Sequence, residues 1–325
     1  MVATDQPLVS IITPMYNEAA FIVECIESVL AQTYQNWEYV IVDNCSTDGS
    51  ADLARARVEG DRRIRILRNS ELLEAIPNHN AALRQVSPAS KYCKVVFADD
   101  QIFPECVERM VNVAEAHPSV GLVGAYGIEG SRVVWTGLSY PETVFSGREV
   151  CRRLFLEDLY VFGTATSLLY RADLVRSRDP FFDAADVHSD REACVSLLKN
   201  SDFGFVHQVL TMTRVREGSR ITLSSEVNTF AASGLNHLVR HGRDFLSPEE
   251  FAGCLDRSVS AYYWYLAGSF VRGRDTAFWE YHKRALQAAG VGFSRVRLAK
   301  TVIARIGAAA LHPKESIQEL ARVRS

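Results

Sequence analysis
The sequence predicts an α/β fold in which a mainly parallel sheet is covered by helices, followed by a helical C-terminal region. Two observations predict it. Short apolar, β-rich runs alternate with helical segments through the N-terminal third, the pattern of a parallel sheet with helices on both faces. Three of those runs also end abruptly in polar clusters, and ligands of such sheets bind beyond the carboxyl ends of the strands.

The elements follow in order. Leu8-Val9-Ser10-Ile11-Ile12-Thr13 is a first strand that ends at Pro14. A helix over 20–31 places Ile22, Cys25, Ile26, Val29 and Leu30 on one stripe. Trp37-Glu38-Tyr39-Val40-Ile41-Val42 is a second strand, stopped by Asp43-Asn44-Cys45-Ser46-Thr47-Asp48-Gly49-Ser50. A helix over 50–58, a third strand over 64–67 and a segment over 75–85 that is helical after Pro77 come next. Tyr92-Cys93-Lys94-Val95-Val96-Phe97-Ala98 is a fourth strand running directly into Asp99-Asp100. Beyond it, 121–126 and 133–135 can pair as strands, 166–170 and 205–214 are strand-like, 190–199 is helical, and helices continue from about 224 to the end.

Bulk properties exclude several classes. The chain has 325 residues, 47% of them hydrophobic, enough to bury a sizeable core. A net charge of −3 does not suit a nucleic-acid partner held by bulk electrostatics. No apolar run reaches the length that spans a bilayer, and residues 1–7 lack the pattern of a secretory signal, so a cytoplasmic location is expected, with the inner face of the membrane as an alternative. The seven cysteines, Cys25, Cys45, Cys93, Cys106, Cys151, Cys194 and Cys254, lie singly without CxxC spacing and read as small buried residues of a reducing compartment.

The chemistry concentrates in the polar clusters. Asp99-Asp100 places two like charges at the end of an apolar strand, and a hard divalent cation resolves that conflict. Mg²⁺ in particular is typically held by one or two carboxylates together with substrate phosphates. A solvated turn capping a helix that starts near Pro104 is the alternative. Asp43 suits a hydrogen bond to a base or ribose, while a plain turn with Asp48 or Ser50 capping the next helix is equally open. There is no GxGxxG and no GxxxxGK[ST], against a dehydrogenase or a P-loop enzyme.

These residues carry a family resemblance. Val9-Ser10-Ile11-Ile12-Thr13-Pro14-Met15-Tyr16-Asn17-Glu18, then Ser28-Val29-Leu30-Ala31-Gln32-Thr33-Tyr34 and Val40-Ile41-Val42-Asp43-Asn44-Cys45-Ser46-Thr47-Asp48-Gly49-Ser50, resemble family 2 glycosyltransferases. The Ala98-Asp99-Asp100 turn with Pro104 resembles the family's DxD-type metal motif. The resemblance covers roughly residues 7–220 and implies the GT-A fold, with a Rossmann-like sheet. It divides the chain into a catalytic domain over 1–222, with a nucleotide-sugar half over 1–105 and an acceptor half over 106–222, and a helical region over 223–325.

By the same resemblance, Pro14, Tyr16 and Glu18 belong to the donor side, with the Tyr16 ring available for stacking, and Asp43 contacts the base. Asp99 meets the donor and Asp100 is the metal ligand, for Mn²⁺ or Mg²⁺. Phe97 stands where many members carry a first Asp, which moves the metal load to Asp100. His79 stands where some relatives place an Arg near the diphosphate, and is either a weak phosphate ligand or an ordinary helix residue. Asp190, at the start of its helix, matches the general base, with simple N-capping as the alternative. His188 and Glu192 flank it on the acceptor side, and Glu192 alternatively forms a structural ion pair. Thr164 and Thr166, in Phe162-Gly163-Thr164-Ala165-Thr166-Ser167, are further acceptor-side residues, with a plain strand entry as the alternative. Arg216, where many relatives have a His, would clamp a phosphate, with a solvated basic turn as the alternative.

The implied activity is inverting transfer of a sugar from a nucleotide-diphosphate donor, a UDP-sugar favoured, to a hydroxyl of a glycan or lipid-linked acceptor. Polysaccharide, lipopolysaccharide or other glycoconjugate synthesis is the implied setting. A sugar nucleotidyltransferase would be expected to show a Gly-rich basic loop after the first strand, which residues 14–18 lack. A non-catalytic nucleotide-sugar-binding protein is the other alternative. The basic amphipathic stretch 293–306 suits packing on the protein or a dimer partner, with peripheral membrane contact as the alternative. The aromatic run Tyr262-Tyr263-Trp264-Tyr265 reads as core or interface.

Overall fold
The structure, a computed structural model, describes residues 6–215 and 227–311. The chain divides into two compact units, residues 1–219 and 220–325.

The first unit is built on one ten-stranded sheet. Its parallel half comprises β1 (Val9–Met15), β2 (Trp37–Asp43), β3 (Ile64–Arg68) and β4 (Tyr92–Val95), in the order β3-β2-β1-β4. The helices α1 (Ile22–Leu30), α2 (Ser50–Val58) and α3 (Ala75–Leu83) make the connections. β1 does not stop at Pro14: the proline pairs in register with Val42. The carbonyls of Ile12 and Met15 accept from Val96 and Asn44, on opposite sides of β1. By strand alternation Pro14 therefore faces the β4 side, where the ladder has already ended, and its missing N–H removes no bond. β4 is shorter than the apolar run suggests, because the Phe97 amide leaves the ladder and donates to the Thr166 hydroxyl at 3.1 Å.

The second half of the sheet is mixed. The short β5 (Gln101–Ile102) and the helix α4 (Cys106–Ala116) follow the Asp99-Asp100 turn. Then come β6 (Val120–Glu129), β7 (Arg132–Val134), β8 (Val144–Phe145) and α5 (Gly147–Glu157). A 3₁₀ turn (Ala165–Ser167) leads into β9 (Leu168–Arg171) and α6 (Ala172–Arg176). α7 (Ser189–Leu198) and β10 (Asp202–Thr213) complete the unit. β9 inserts antiparallel between β4 and β6, so the sheet order continues β4-β9-β6-β10-β5. A core of Val9, Ile11, Tyr39, Ile41, Met110, Val123 and Leu169 runs through both halves.

The second unit contains α8 (Thr229–Phe245), α9 (Pro248–Val271), α10 (Thr276–Ala288) and α11 (Arg295–Leu311). Ser247 and Glu250 close a capping box ahead of Pro248, a strong helix start. Tyr262 and Tyr263 are core residues, with Leu235, Leu266, Phe278 and Leu286. α11 packs on α9, where Arg297 reaches Ser260 and Arg305 the Trp264 carbonyl. Among the described residues no helix is long and apolar enough to cross a membrane. Six of the seven cysteines are buried, Cys45 partly so, and all are free thiols.

Candidate active site
The carboxyl ends of β1 and β2 are tied into one rim. The Asn44 amide donates to the Met15 carbonyl, and the Asn17 side chain accepts from the Thr47 amide at 2.9 Å. Asn17 and Glu18 in turn donate their amides to the hydroxyls of Ser46 (3.0 Å) and Ser50 (2.8 Å). Asp48 bonds Ser50 and the Ala19 amide, and Gly49 occupies the N-cap of α2 in a left-handed conformation. Asp48 thus accepts from the first helical amide without itself being the cap residue. Tyr16, next to buried Pro14, is 44% exposed, so its ring is open to a ligand.

Asp43 is fully buried at the end of β2. Its carboxylate accepts from the Ser46 amide at 3.0 Å and pairs with Arg68 at 2.7 Å. Arg68 is the residue after the third apolar run, and sequence spacing does not single it out. The pairing satisfies the buried charge and leaves the Asp43 oxygens part of their accepting capacity.

Asp100 is 2% exposed, and the expectation of a solvated helix cap does not hold: the N-cap residue of α4 is Glu105. One Asp100 oxygen accepts from the Thr166 hydroxyl at 2.6 Å and the other from the Arg214 amide at 3.2 Å. Burial, and secondarily the neighbouring Asp99 charge, push its carboxyl up to about 7, against the lowering pull of those two hydrogen bonds. Asp99 is half-buried beside it, and its carbonyl accepts from the Arg214 guanidinium at 3.2 Å. Arg214 continues to Glu24 at 2.7 Å and lies over the Phe21 ring. It therefore holds the Asp99-Asp100 turn at two points and ties it to Glu24 and Phe21 of the first helix region, a role sequence analysis did not assign. Arg216, chosen there as the phosphate clamp, lies outside the described residues.

Two departures from the family pattern meet here. The rings of Phe97 and His79 are 4.9 Å apart and tilted by 33°, with Phe182 edge-on to His79 at 6.4 Å. The Phe97 ring is thus covered by the His79 imidazole.

Thr166 and Glu192 both have partners inside the protein. Thr166 is fully buried, accepts from the Phe97 amide and holds Asp100, which places it at the carboxylate turn. Glu192, 2% exposed, pairs with Arg178 at 2.5 Å and is structural. Replacing Glu192 with Ala is expected to cost about 3–5 kcal/mol by stranding Arg178. The check is thermal or urea unfolding: an unchanged melting temperature with an altered acceptor KM would instead return Glu192 to the acceptor side.

Asp190 is the second residue of α7, in its first turn, and not the N-cap, which is His188. Its carboxylate accepts from the Arg191 amide at 2.8 Å. His188 donates its amide to Asp186 at 3.0 Å. Burial, and then the Asp190 charge, push the buried Tyr160 hydroxyl well above its usual range. Tyr160 also packs under Arg191 and donates to the Gly163 carbonyl at 2.8 Å. Residues 163–167 are thereby linked to Arg191 through Tyr160 and to Asp100 through Thr166. Gly163 has φ 67°, and a Cβ there would stand 2.5 Å from the Ser167 hydroxyl, so only glycine fits. Thr164, next to it, is half-buried, with its carbonyl closing the turn to the Ser167 amide.

Among the described residues no group of three or more His, Cys, Asp or Glu gathers to hold a metal alone. Asp100 and Asp99 form a two-carboxylate set whose buried member is held against its own ionisation. Such a set fits a divalent cation that completes its coordination with phosphate oxygens and water.

A family model described as Glycosyl transferase family 2 matches residues 10–177, just over half of the chain. Glycosyltransferase GlyG of Streptococcus pneumoniae is 30% identical over 119 residues, 37% of this chain and 39% of that protein. The putative teichuronic acid biosynthesis glycosyltransferase TuaG of Bacillus subtilis is 35% identical over 106 residues, 33% and 41% of the two chains. The match thus spans about two fifths of the length of these relatives. Among solved structures, S. aureus TarS in complex with UDP-GlcNAc aligns with a TM-score of 0.66 at 16% identity, covering 91% of this chain and 88% of that one. Mannosyltransferase PcManGT from Pyrobaculum calidifontis, in complex with GDP-Man and Mn²⁺, aligns with a TM-score of 0.52 at 17% identity, covering 96% and 89%. At these identities the likeness is one of fold, the GT-A architecture of a central sheet flanked by helices.

Proposed function
Because the chain belongs to glycosyl transferase family 2, we propose that it is an inverting, metal-assisted glycosyltransferase that takes a nucleotide-diphosphate sugar, a UDP-sugar in preference, and transfers the sugar to a hydroxyl acceptor. The observation that carries this reading is Asp100, a buried carboxylate at the end of β4 held by Thr166 and Arg214 beside Asp99. The cross-linked β1–β2 rim, with an exposed Tyr16 ring and buried Asp43, supports it as the place for the base and ribose. TarS in complex with UDP-GlcNAc and PcManGT in complex with GDP-Man and Mn²⁺, both of this fold, support the donor class. Division of the catalytic region near residue 222 is part of the same proposal.

Each residue has a role. Tyr16 stacks on the base, Asp43 accepts from the base or ribose, and Asp99 contacts the donor. Asp100, with Asp99 beside it and the donor diphosphate, would hold Mn²⁺ or Mg²⁺; a cation bound there neutralises the charge that develops on the departing diphosphate. Asp190 removes the proton of the acceptor hydroxyl, and the oxygen attacks the anomeric carbon opposite the leaving group. One displacement inverts the configuration. Thr164 and His188 lie on the acceptor side, and His79, against Phe97, faces the donor.

Thermal denaturation with UDP-, GDP-, dTDP- and CDP-sugars plus Mn²⁺ tests the donor. Ligand at about 100 times its Kd stabilises a protein by about 2.7 kcal/mol, so a clear rise in melting temperature is expected with one nucleotide class, UDP first. No rise with any of them sinks the proposal.

A further inference from the structure
The core of the sheet contains a lysine where an apolar side chain would be expected. Lys94 lies in β4, between β1 and β9, with none of its surface exposed. Burial pulls its ammonium below the usual lysine range. Among the described residues no carboxylate stands within ion-pairing distance of it. Its donors go instead to the Thr166 carbonyl and to the Leu168 carbonyl at 3.1 Å. An ammonium buried without a paired carboxylate costs several kcal/mol, and apolar replacements of buried charges are often neutral or stabilising. Stability alone is therefore a poor reason for this residue, and its bonds point to another.

The two carbonyls belong to the 3₁₀ turn over 165–167 and to the first residue of β9. Between them they fix the backbone on both sides of Ser167. Thr166 is also the residue whose hydroxyl accepts from the Phe97 amide and donates to Asp100. Lys94 grips the backbone of Thr166, and the Thr166 side chain grips the carboxylate. Asp100 itself belongs to the turn that follows the strand of Lys94, so the three residues close a loop across β4 and β9.

We propose that Lys94 is a positioning residue for the donor site: its ammonium fixes the backbone of residues 166–168 and, through the Thr166 hydroxyl, sets the orientation of Asp100. The inference rests on the metal-assisted donor site proposed above. It accounts for a fully buried cation that touches neither donor nor acceptor.

The test is calorimetric titration of Mn²⁺ with UDP into the full chain carrying Lys94→Met, Thr166→Val or both, beside the parent protein. Met fills the space without the donors. Loss of such an outer-shell partner typically weakens metal binding by about 10–100-fold, so each single variant is expected to bind about tenfold more weakly. Both act by one route, so the double variant is expected to be no weaker than the worse single. Thr166→Ser, which keeps the hydroxyl, is expected to stay near the parent. Additive losses, or a Lys94→Met variant that melts earlier but binds within twofold of the parent, would overturn the proposal. Lys94→Gln, which keeps a donor, takes its place if the Met variant does not fold, with the same outcomes.

Hydrogen exchange gives a readout independent of the metal. The Phe97 amide, bonded to the Thr166 hydroxyl, is expected to lose protection in Lys94→Met, and unchanged protection overturns the link. A parent protein that binds no Mn²⁺ with UDP refutes the donor site, while the exchange result still decides whether Lys94 holds Thr166.

Discussion

Replacing Asp190 with Asn is expected to lower the rate of transfer by about 10²–10⁴-fold, the usual contribution of a positioned general base. Donor binding is expected to stay within about twofold of the parent. Asn has the shape of Asp and keeps an oxygen that can accept from the Arg191 amide, so the first turn of α7 is retained. What it loses is the negative charge and the ability to take a proton. At the N-terminal end of a helix a negative charge is favoured by the macrodipole, which the neutral amide does not exploit. The acceptor hydroxyl cannot leave its proton on an amide, so the loss falls on the chemical step. Single-turnover kinetics with saturating donor separate this from a binding defect, since kcat should fall while the Kd of the donor does not. Transfer within tenfold of the parent would mean that the base is another group.

The assignment of Asp190 came from the family resemblance, and what the sequence shows by itself is local. A run of acids ahead of an amphipathic helix is legible without knowing what packs against it. The same holds for β1, β2 and α2, whose apolar periods and turn residues are set by near neighbours, and for the polar clusters at the strand ends. What surrounds Asp100 was not legible. Thr166 and Arg214 approach it from positions 66 and 114 residues away, and no local pattern encodes such a meeting. Thr166 was placed on the acceptor side by resemblance, with a plain strand entry as the alternative; the structure sets it in the turn that leads into β9, bonded to Asp100. Lys94 sits in an apolar run that reads as a plain strand, so its partners are invisible until β9 is placed. Arg68 and Glu192 share this limitation: Arg68 drew no reading, the ion pair was only one of two readings of Glu192, and neither partner could be named until the fold brought it close. Phe97 and His79 were visible as two separate departures, and only the fold makes them one contact.

Replacing Asp100 with Asn is expected to remove most of the Mn²⁺ affinity and, with it, the pH dependence of binding. The folded protein holds the Asp100 carboxyl at about 7, against 3.8 for the unperturbed group, mainly through burial. A cation requires the carboxylate, so below about pH 7 it competes with one proton. The apparent Kd for Mn²⁺ should then rise by up to tenfold for each pH unit below that point and level off above it. In the Asn variant the slope should disappear along with the affinity. The sign for stability is opposite to that of an ion-paired acid. A folded pKa raised above its unfolded value means that the native state binds the proton more tightly. This group's contribution to stability is fully present below about pH 4 and is lost as pH rises through about 7. The metal-free parent should therefore lose stability relative to Asp100→Asn across that window. Added Mn²⁺ should restore progressively more of it toward the alkaline end, where the carboxylate is free to bind. Thermal melts of both proteins from about pH 5 to about pH 8, with and without Mn²⁺, measure all of this together. A Mn²⁺-induced rise in melting temperature that is equal at both ends of the range, or that persists in the Asn variant, would show that Asp100 is not the ligand.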